Sequence, residues 1–187
     1  MVTRNIRAIC LDCGDTLIDE GTEQKNDVGV SLRADLIPGS DTLLHTLKSL
    51  SYPLALVADG PRDTFTNNLG PYGLYNLFDA YAISETVGVS KPHRAMFDHA
   101  LGQLDIAEAD YQHVVMVGNH LARDIRGANQ LGIISVWLDW APRRPKIPAD
   151  ESERPAYRIE TPLELLEVIE VIEASLAGGS QTQRHTG

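Results

Sequence analysis

Three shortages in the sequence each exclude a class of protein. Cysteine occurs only twice, as Cys10 and Cys13, which is too few for a disulfide framework. Basic residues are outnumbered, with 16 Lys and Arg against 26 Asp and Glu and a net charge of -10, so we expect no nucleic-acid partner. No apolar run is long enough for a signal peptide or a membrane span, so we expect a cytoplasmic protein with no membrane partner.

The sequence does contain short apolar runs that alternate with helical patterns. The apolar runs predict strands at residues 6–12, 53–58, 81–84, 113–118 and 133–138, with a further extended piece at residues 157–159. Nearly continuous apolar strands that alternate with helices predict a doubly wound, Rossmann-like parallel sheet. We therefore predict one three-layer α/β/α domain over residues 1–177. The sequence has neither a Gly-x-Gly-x-x-Gly motif after the first strand nor a Walker-type loop, which argues against nucleotide-binding versions of this architecture.

Two polar segments fall outside this pattern. Residues 19–31 are polar and show little periodicity, which predicts a surface loop within the segment 18–37. The last predicted helix ends near Leu176. Residues 178–187 contain Gly, Ser, Gln and Thr but no core material, which predicts a disordered tail.

Polar side chains follow several predicted strands at their carboxyl ends. Asp12 ends the first strand and Asp59 the second, Lys91 follows the third, and Asn119 and Asp124 follow the fourth. Each residue alone is also typical of a turn, a surface charge or a helix start. The carboxyl ends of parallel strands share one edge, where ligands bind. Together these residues predict oxygen ligands for Mg²⁺ and one lysine around a crevice for an anionic substrate.

The two cysteines do not form a metal or redox site. Side chains three residues apart on a strand point to opposite faces, and no second Cys or His pair completes a zinc set. We therefore predict that Cys10 lies in the core and that Cys13 is a free thiol beside the site.

In order and spacing, these motifs resemble those of the haloacid dehalogenase superfamily, whose members are hydrolases with an aspartyl nucleophile. The resemblance extends from residue 6 to about residue 172. It is strongest over residues 88–97, which begin Gly-Val-Ser-Lys-Pro, and then over residues 117–128 and 12–17. Between the first two motifs only residues 18–37 precede the next helix. The resemblance therefore implies a member without a substantial cap domain, with a site that is open unless a second copy of the chain closes it.

The resemblance implies a role for each matching residue. Asp12 would be the nucleophile, and Lys91 would neutralise both Asp12 and the substrate. Mg²⁺ would be held by Asp12, the backbone carbonyl of Gly14, Asn119 and Asp124. The segment Ala58, Asp59 and Gly60 would bind the substrate.

The sequence departs from the family pattern where the leaving group is protonated. The family's phosphatases have a second Asp two residues after the nucleophile, and that position is Gly14 here. Asp15 follows one residue later, and whether it replaces the missing acid stays open. Loss of a positioned general acid costs about 10²–10⁴-fold in rate, most for a poor leaving group. This departure argues against a fast alkyl-monoester phosphatase.

Two further departures concern the substrate and the metal. The usual phosphoryl-binding Thr or Ser is Ala58, and the usual Asp of the fourth motif is Asn119, which should weaken Mg²⁺ binding. We therefore expect a Mg²⁺-dependent hydrolase, in the first place a phosphatase acting on a small phosphorylated substrate. Two alternatives stay open. One is a dehalogenase-like hydrolase, which the wide separation of Asn119 and Asp124 and the missing cap oppose. The other is a weak or inactive member that binds a ligand or partner, and absence of Mg²⁺ binding would favour it.

Overall fold

A parallel sheet organises the computed structural model, which describes residues 4–182. Over these residues the strands, numbered in chain order, are β1 (Ala8–Leu11), β2 (Ile18–Lys25), β3 (Ser31–Leu36), β4 (Leu54–Ala58), β5 (Ala80–Ile83), β6 (Val114–Gly118), β7 (Ile134–Leu138) and β8 (Tyr157–Ile159). Six of them form the sheet in the order β5-β4-β1-β6-β7-β8, and every neighbouring pair is parallel. The predicted strands and parallel sheet are confirmed.

Helices cover both faces of this sheet. They are α1 (Ser40–Ser49), α2 (Arg62–Leu69), α3 (Ser84–Val87), α4 (Arg94–Gln103), α5 (Arg126–Gln130) and α6 (Glu164–Thr182). Buried residues of α1, α2 and α6 pack in one apolar cluster, and those of α4 and α5 pack in the other. This is the predicted three-layer α/β/α arrangement. No helix within residues 4–182 is long and apolar enough to cross a membrane.

Strand β1 lies inside the sheet between β4 and β6, and the helices on the two faces bury its side chains. All four of its residues are buried, and Ile9 pairs with Leu54 of β4 on one side and Val115 of β6 on the other. Burying a side chain of this size stabilises the fold by about 1.5–3 kcal/mol. The first residue after β1 therefore leaves the sheet from a rigid, central position.

The two cysteines lie on opposite faces of the sheet. Cys10 packs in the cluster with α4 and α5, and Cys13 packs in the cluster with α1, α2 and α6. Both are free and buried, and burial raises the pKa of both thiols, that of Cys10 to about 12. The divergence of their side chains is therefore as predicted. Cys13 is part of the core, although it is the neighbour of Asp12 in sequence.

The predicted surface loop at residues 19–31 is wrong, because this segment forms a hairpin of β2 and β3. Its strands are antiparallel and irregular in register. Three hydrogen bonds of Ser31 fix the hairpin to α2. Its N–H donates to Thr64 Oγ1 at 3.1 Å, its Oγ donates to Asn68 Oδ1 at 3.1 Å, and its carbonyl oxygen accepts from Asn67 Nδ2 at 3.0 Å. Polar contacts of this kind leave no apolar periodicity in the sequence, so the hairpin could not be recognised there. No cap domain is inserted between β1 and α1, as predicted.

The end of the chain also differs from the prediction. Helix α6 extends to Thr182, so the segment 178–182 is helical and not disordered as expected. A helix that has already formed adds one backbone hydrogen bond for each further residue, so it can continue past its last apolar residue. The predicted disorder of residues 183–187 lies outside the described residues.

Candidate active site

The site begins where β1 ends. Asp12 is the first residue after this strand, and its backbone N–H still donates to Val117 O of β6 at 2.9 Å. That bond holds the backbone of Asp12 in line with the sheet, and 12% of the Asp12 side chain is exposed. Thr16 Oγ1 donates to Asp12 Oδ2 at 3.2 Å. The carboxylate is therefore held at the surface of the sheet edge, with one oxygen bound from its own turn.

Lys91 meets this carboxylate from another part of the chain. Its ammonium Nζ lies 2.7 Å from Asp12 Oδ1, 2.7 Å from Asp124 Oδ1 and 2.7 Å from the carbonyl oxygen of Val57. The residue is only 4% exposed. Burial alone would lower the pKa of Lys91, but the negative charges of Asp12, Asp124 and Asp59 outweigh it and raise that pKa. The lysine is therefore a fixed positive charge between two carboxylates.

Asp124 reaches the site from the turn after β6. Its Oδ2 accepts a hydrogen bond from His120 N at 2.9 Å. A Cβ atom at Gly118 would lie 2.3 Å from Asp124 Cγ, so only glycine permits this close approach. Burial raises the pKa of Asp124, against the opposing effect of Lys91. Glycine at position 118 thus leaves room for the Asp124 carboxylate in the place where it contacts Lys91.

Asn119 lies at the site and binds the turn that follows β1. Its Nδ2 donates to the carbonyl oxygen of Gly14 at 2.8 Å. Its own carbonyl oxygen accepts from Trp137 Nε1 at 3.0 Å, a buried bond that fixes the backbone of Asn119. Asn119 therefore ties the turn after β1 to the turn after β6.

The donors around Asp12 can be compared with what Mg²⁺ requires. Within residues 4–182 no three His, Cys, Asp or Glu side chains are grouped as a metal site. The predicted set depends instead on two side-chain carboxylates, the Gly14 carbonyl and the Asn119 amide. In this conformation Asn119 presents its NH₂ group, and rotation of the amide about its last bond would present the oxygen. With that rotation the oxygen donors fit Mg²⁺, at a lower negative charge than three carboxylates would give.

The predicted substrate-binding segment, Ala58 to Gly60, lies only partly at the site. Asp59 and Gly60 line the central cavity, whereas Ala58 is fully buried in β4 and is not among the lining residues. Asp59 Oδ1 accepts from Lys91 N at 3.0 Å, so this carboxylate positions the lysine's backbone. Gly60 has a φ of 147°, and its N–H donates to Ser84 Oγ at 2.9 Å.

Asp15 does not face the cavity. It is fully buried, with a φ of 53°, and its Oδ2 accepts from Arg144 Nε at 2.8 Å and from Arg143 Nε at 3.1 Å. Its Oδ1 also accepts from Glu20 N at 3.1 Å. Both oxygens of the Asp15 carboxylate thus accept hydrogen bonds, from two guanidinium groups and a backbone amide.

Glu20 of the hairpin occupies the space beside Gly14. A Cβ atom built at Gly14 would lie 1.9 Å from Glu20 Oε1 and 2.7 Å from its Cδ. Arg144 Nη2 binds the other carboxylate oxygen, Glu20 Oε2. Burial raises the pKa of Glu20, Arg144 opposes this, and the negative charges of Asp15 and Asp12 add to the rise.

These groups surround a cavity of about 200 Å³. One wall holds Asp12, Lys91 and Asp124, and the hairpin supplies Glu20 and Lys25 on the other side. The volume suits a small molecule, and both acidic and basic side chains line it. The hairpin thus covers part of a site that the sequence predicted to be open.

Residues 14–138 match the family model of haloacid dehalogenase-like hydrolases. The chain belongs to this family. This haloacid dehalogenase-like chain is 31% identical over 135 residues to the glyceraldehyde 3-phosphate phosphatase of Methanopyrus kandleri, a match that covers 72% of the chain and 55% of that protein. The chain spans about half the length of the curated relatives that it matches.

Solved structures of the family have the same fold. A phosphatase of the family from Thermococcus onnurineus is 26% identical, with a TM-score of 0.62 over 73% of this chain and 59% of that one. The hydrolase YfnB of Bacillus subtilis, solved bound to magnesium, gives a TM-score of 0.67 over 89% of this chain and 99% of that one. At 19% identity the latter supports the fold alone.

Within this haloacid dehalogenase-like site, five of the side chains expected from sequence lie together around the cavity: Asp12, Asp59, Lys91, Asn119 and Asp124. Sequence reasoning missed Glu20, Arg144 and His120, which also line it. Burial and the charge of Arg123 lower the pKa of His120. His120 had one signal in the sequence, its place between Asn119 and Asp124. Glu20 and Arg144 had none.

Proposed function

We propose that the chain is a phosphatase that hydrolyses a small phosphorylated substrate through Asp12. The observation that carries the proposal is the position of the Lys91 ammonium, 2.7 Å from Asp12 Oδ1 in a cavity lined by acidic and basic groups. A buried cation at this point lowers the repulsion between an anionic nucleophile and an anionic phosphoryl group. The names of the glyceraldehyde 3-phosphate phosphatase and of the Thermococcus phosphatase support this class of reaction.

The reaction takes place in two steps. A carboxylate oxygen of Asp12 forms a bond to phosphorus as the bond from phosphorus to the leaving-group oxygen breaks, and that oxygen takes up a proton. Water then attacks the aspartyl phosphate and releases phosphate and the Asp12 carboxylate. The Lys91 ammonium, 2.7 Å from Asp12 Oδ1, offsets the negative charge of the nucleophile while the anionic substrate binds. Thr16, which binds Asp12 Oδ2, orients the carboxylate.

We also propose that the hydrolysis depends on Mg²⁺. Asp12, the Gly14 carbonyl, the amide oxygen of Asn119 and Asp124 would hold the ion. Bound Mg²⁺ neutralises phosphoryl charge and supplies Lewis-acid catalysis. Because Asn119 contributes no negative charge, we expect weaker binding than with a carboxylate at this position. The magnesium-bound relative supports an ion in a site of this fold.

Substrate binding is proposed for the groups that remain around Lys91. Asp59 and Gly60 form one side of the cavity, and we assign Ala58 a role through its backbone only, because its side chain is buried. The cations Arg123 and Arg144 also line the cavity and favour a small anionic ligand. We keep the cytoplasmic location and a second copy of the chain over the site as predictions from the sequence.

A second candidate function is ligand binding with little or no turnover. The observation that favours it is the hydrogen bond from Asn119 Nδ2 to the carbonyl oxygen of Gly14. This bond occupies a carbonyl oxygen that would otherwise be a ligand of the ion. We do not extend the proposal to dehalogenation, because no further contact in the cavity favours it.

One experiment separates these functions. A panel of aryl, acyl and alkyl phosphates is tested with and without Mg²⁺, on the wild-type chain and on Asp12→Asn. We expect turnover that Asp12→Asn abolishes with little change in melting temperature. The matched control is Asp41→Asn, an exposed aspartate at the start of α1, which should retain activity. Ligand binding without turnover in the wild type would favour the second candidate.

A further inference from the structure

We propose that Glu20 supplies the carboxyl group that position 14 lacks, so that the proton donor to the leaving group comes from the β2–β3 hairpin. The inference rests on the proposed phosphatase function. It adds a catalytic residue at a position to which the resemblance assigns no role.

The first argument is the space that Glu20 fills. Any side chain at Gly14 would begin 1.9 Å from Glu20 Oε1, 2.7 Å from its Cδ and 3.0 Å from its Cγ. The first two distances are shorter than real contacts, so a side chain at position 14 would have to displace the carboxyl group of Glu20 from the position in which Arg144 holds it. The resemblance places the proton donor at position 14. Glu20 therefore places a carboxyl group beside position 14, where the family's phosphatases carry the aspartate that donates the proton.

The second argument is that the carboxyl group is held in one orientation. Arg144 binds Glu20 Oε2, and Arg144 Nε also donates to Asp15 Oδ2 at 2.8 Å. The backbone N–H of Glu20 donates to the other oxygen of Asp15 at 3.1 Å. Asp15 is fully buried and thus anchors both the arginine and the hairpin. This clamp leaves Oε1 as the oxygen that lies beside Gly14 in the cavity.

The position of Glu20 suits a group that exchanges a proton with a ligand. Its side chain lines the cavity, and 36% of that side chain is exposed. Arg144 binds Oε2 and stabilises the carboxylate that remains after the proton has left. Asp15 cannot serve in this role, because its two oxygens are bound by the arginine pair and by Glu20 N.

The proton balance of the step is simple. As the Asp12 oxygen bonds to phosphorus and the leaving-group oxygen departs, the O–H of Glu20 transfers its proton to that oxygen. The alcohol leaves, and Glu20 becomes a carboxylate beside Arg144. In the second step this carboxylate takes a proton from the attacking water, whose oxygen bonds to phosphorus and displaces Asp12. Glu20 is then protonated again.

The test compares leaving groups. The quantity measured is the slope of log kcat/KM against leaving-group pKa for a series of aryl and alkyl phosphates. We expect Glu20→Gln to reduce alkyl phosphate hydrolysis by about 10²–10⁴-fold and to affect the best aryl leaving groups far less, so that the slope steepens. Asp35→Asn, an exposed change on β3 of the same hairpin, is the matched control and should keep the wild-type slope.

A double variant tests the exclusion between the two positions. Gly14→Asp alone should not improve turnover, because the new side chain would overlap Glu20. Gly14→Asp combined with Glu20→Ala frees that space and should restore the shallow slope that Glu20→Ala alone loses. Circular dichroism melting of each variant shows whether it is folded, and Glu20→Gln preserves the size of the side chain if Glu20→Ala is unstable.

The outcomes distinguish the inference from the proposed function. If Asp12→Asn abolishes turnover but Glu20→Gln leaves the slope unchanged, Glu20 is not the donor and the phosphatase proposal stands. If the wild-type chain hydrolyses no phosphate in the series, the proposed function fails and the inference fails with it.

Discussion

Replacing Lys91 by methionine is the most severe test of how the site is built. Lys91→Met keeps the length of the side chain and removes the charge that lies 2.7 Å from both Asp12 and Asp124. Removing one partner of a buried ion pair costs about 3–5 kcal/mol, because the charge that remains has no partner. The free energy of unfolding of a domain is roughly 5–15 kcal/mol. We therefore expect the variant to lose about 3–5 kcal/mol at pH 7 and to lose its turnover.

The loss should depend on pH, with a sign that the structure fixes. Burial raises the pKa of Asp124 in the folded wild-type chain, and removal of Lys91 raises it further. In the variant the folded state then binds more protons than the unfolded state near neutral pH, so its stability falls as pH rises through the raised pKa. Lowering the pH from 7 to 5 should therefore recover part of the loss.

Urea denaturation of wild type and variant at both pH values measures this difference. A second variant, Lys91→Met with Asp124→Asn, removes one of the two uncompensated charges and should be more stable at pH 7 than Lys91→Met alone. The matched control is Lys48→Met, since Lys48 forms a partly exposed ion pair with Asp79, and such pairs contribute roughly 0–1 kcal/mol. The reasoning is refuted if Lys91→Met costs no more than Lys48→Met, or if its loss does not change with pH.

Two further predictions concern the turn after β6. Asn119→Asp adds a carboxylate beside the Gly14 carbonyl, so it should bind Mg²⁺ about tenfold or more tightly, since ligand charge tunes the affinity of such sites. Isothermal titration calorimetry with Mg²⁺ alone measures this, and equal affinity in the two proteins would contradict the proposed ligand set. Gly118→Ala should destabilise the fold by about 1–3 kcal/mol, because its Cβ would lie 2.3 Å from Asp124 Cγ. The control is Gly102→Ala in α4, where a Cβ would meet nothing within 4 Å. Urea denaturation should show that this change leaves the free energy of unfolding unchanged or raises it. An equal loss of stability in both variants would show that the contact with Asp124 does not matter.

Much of the fold followed from local pattern. Strand β1 and its neighbours are continuous apolar runs, and such runs report burial on both faces directly. The positions of Asp12 and Asn119 were equally readable, because the residue that follows a parallel strand lies at the carboxyl edge whatever the rest of the chain does. The sequence by itself therefore determined the sheet, the helices that cover it and the polar residues at the carboxyl ends of its strands.

The tertiary structure alone decided what those groups touch. The hairpin was mistaken for a loop because its stabilising bonds, such as Ser31 N to Thr64 Oγ1, are polar and lie far apart in sequence. Arg144 binds Asp15 and Glu20 across more than a hundred residues, and nothing in a local window marks such a pair. The place of Glu20 beside Gly14 depends on this clamp. Side-chain polarity shows only that a residue needs a partner or water, and chain packing determines which partner it finds.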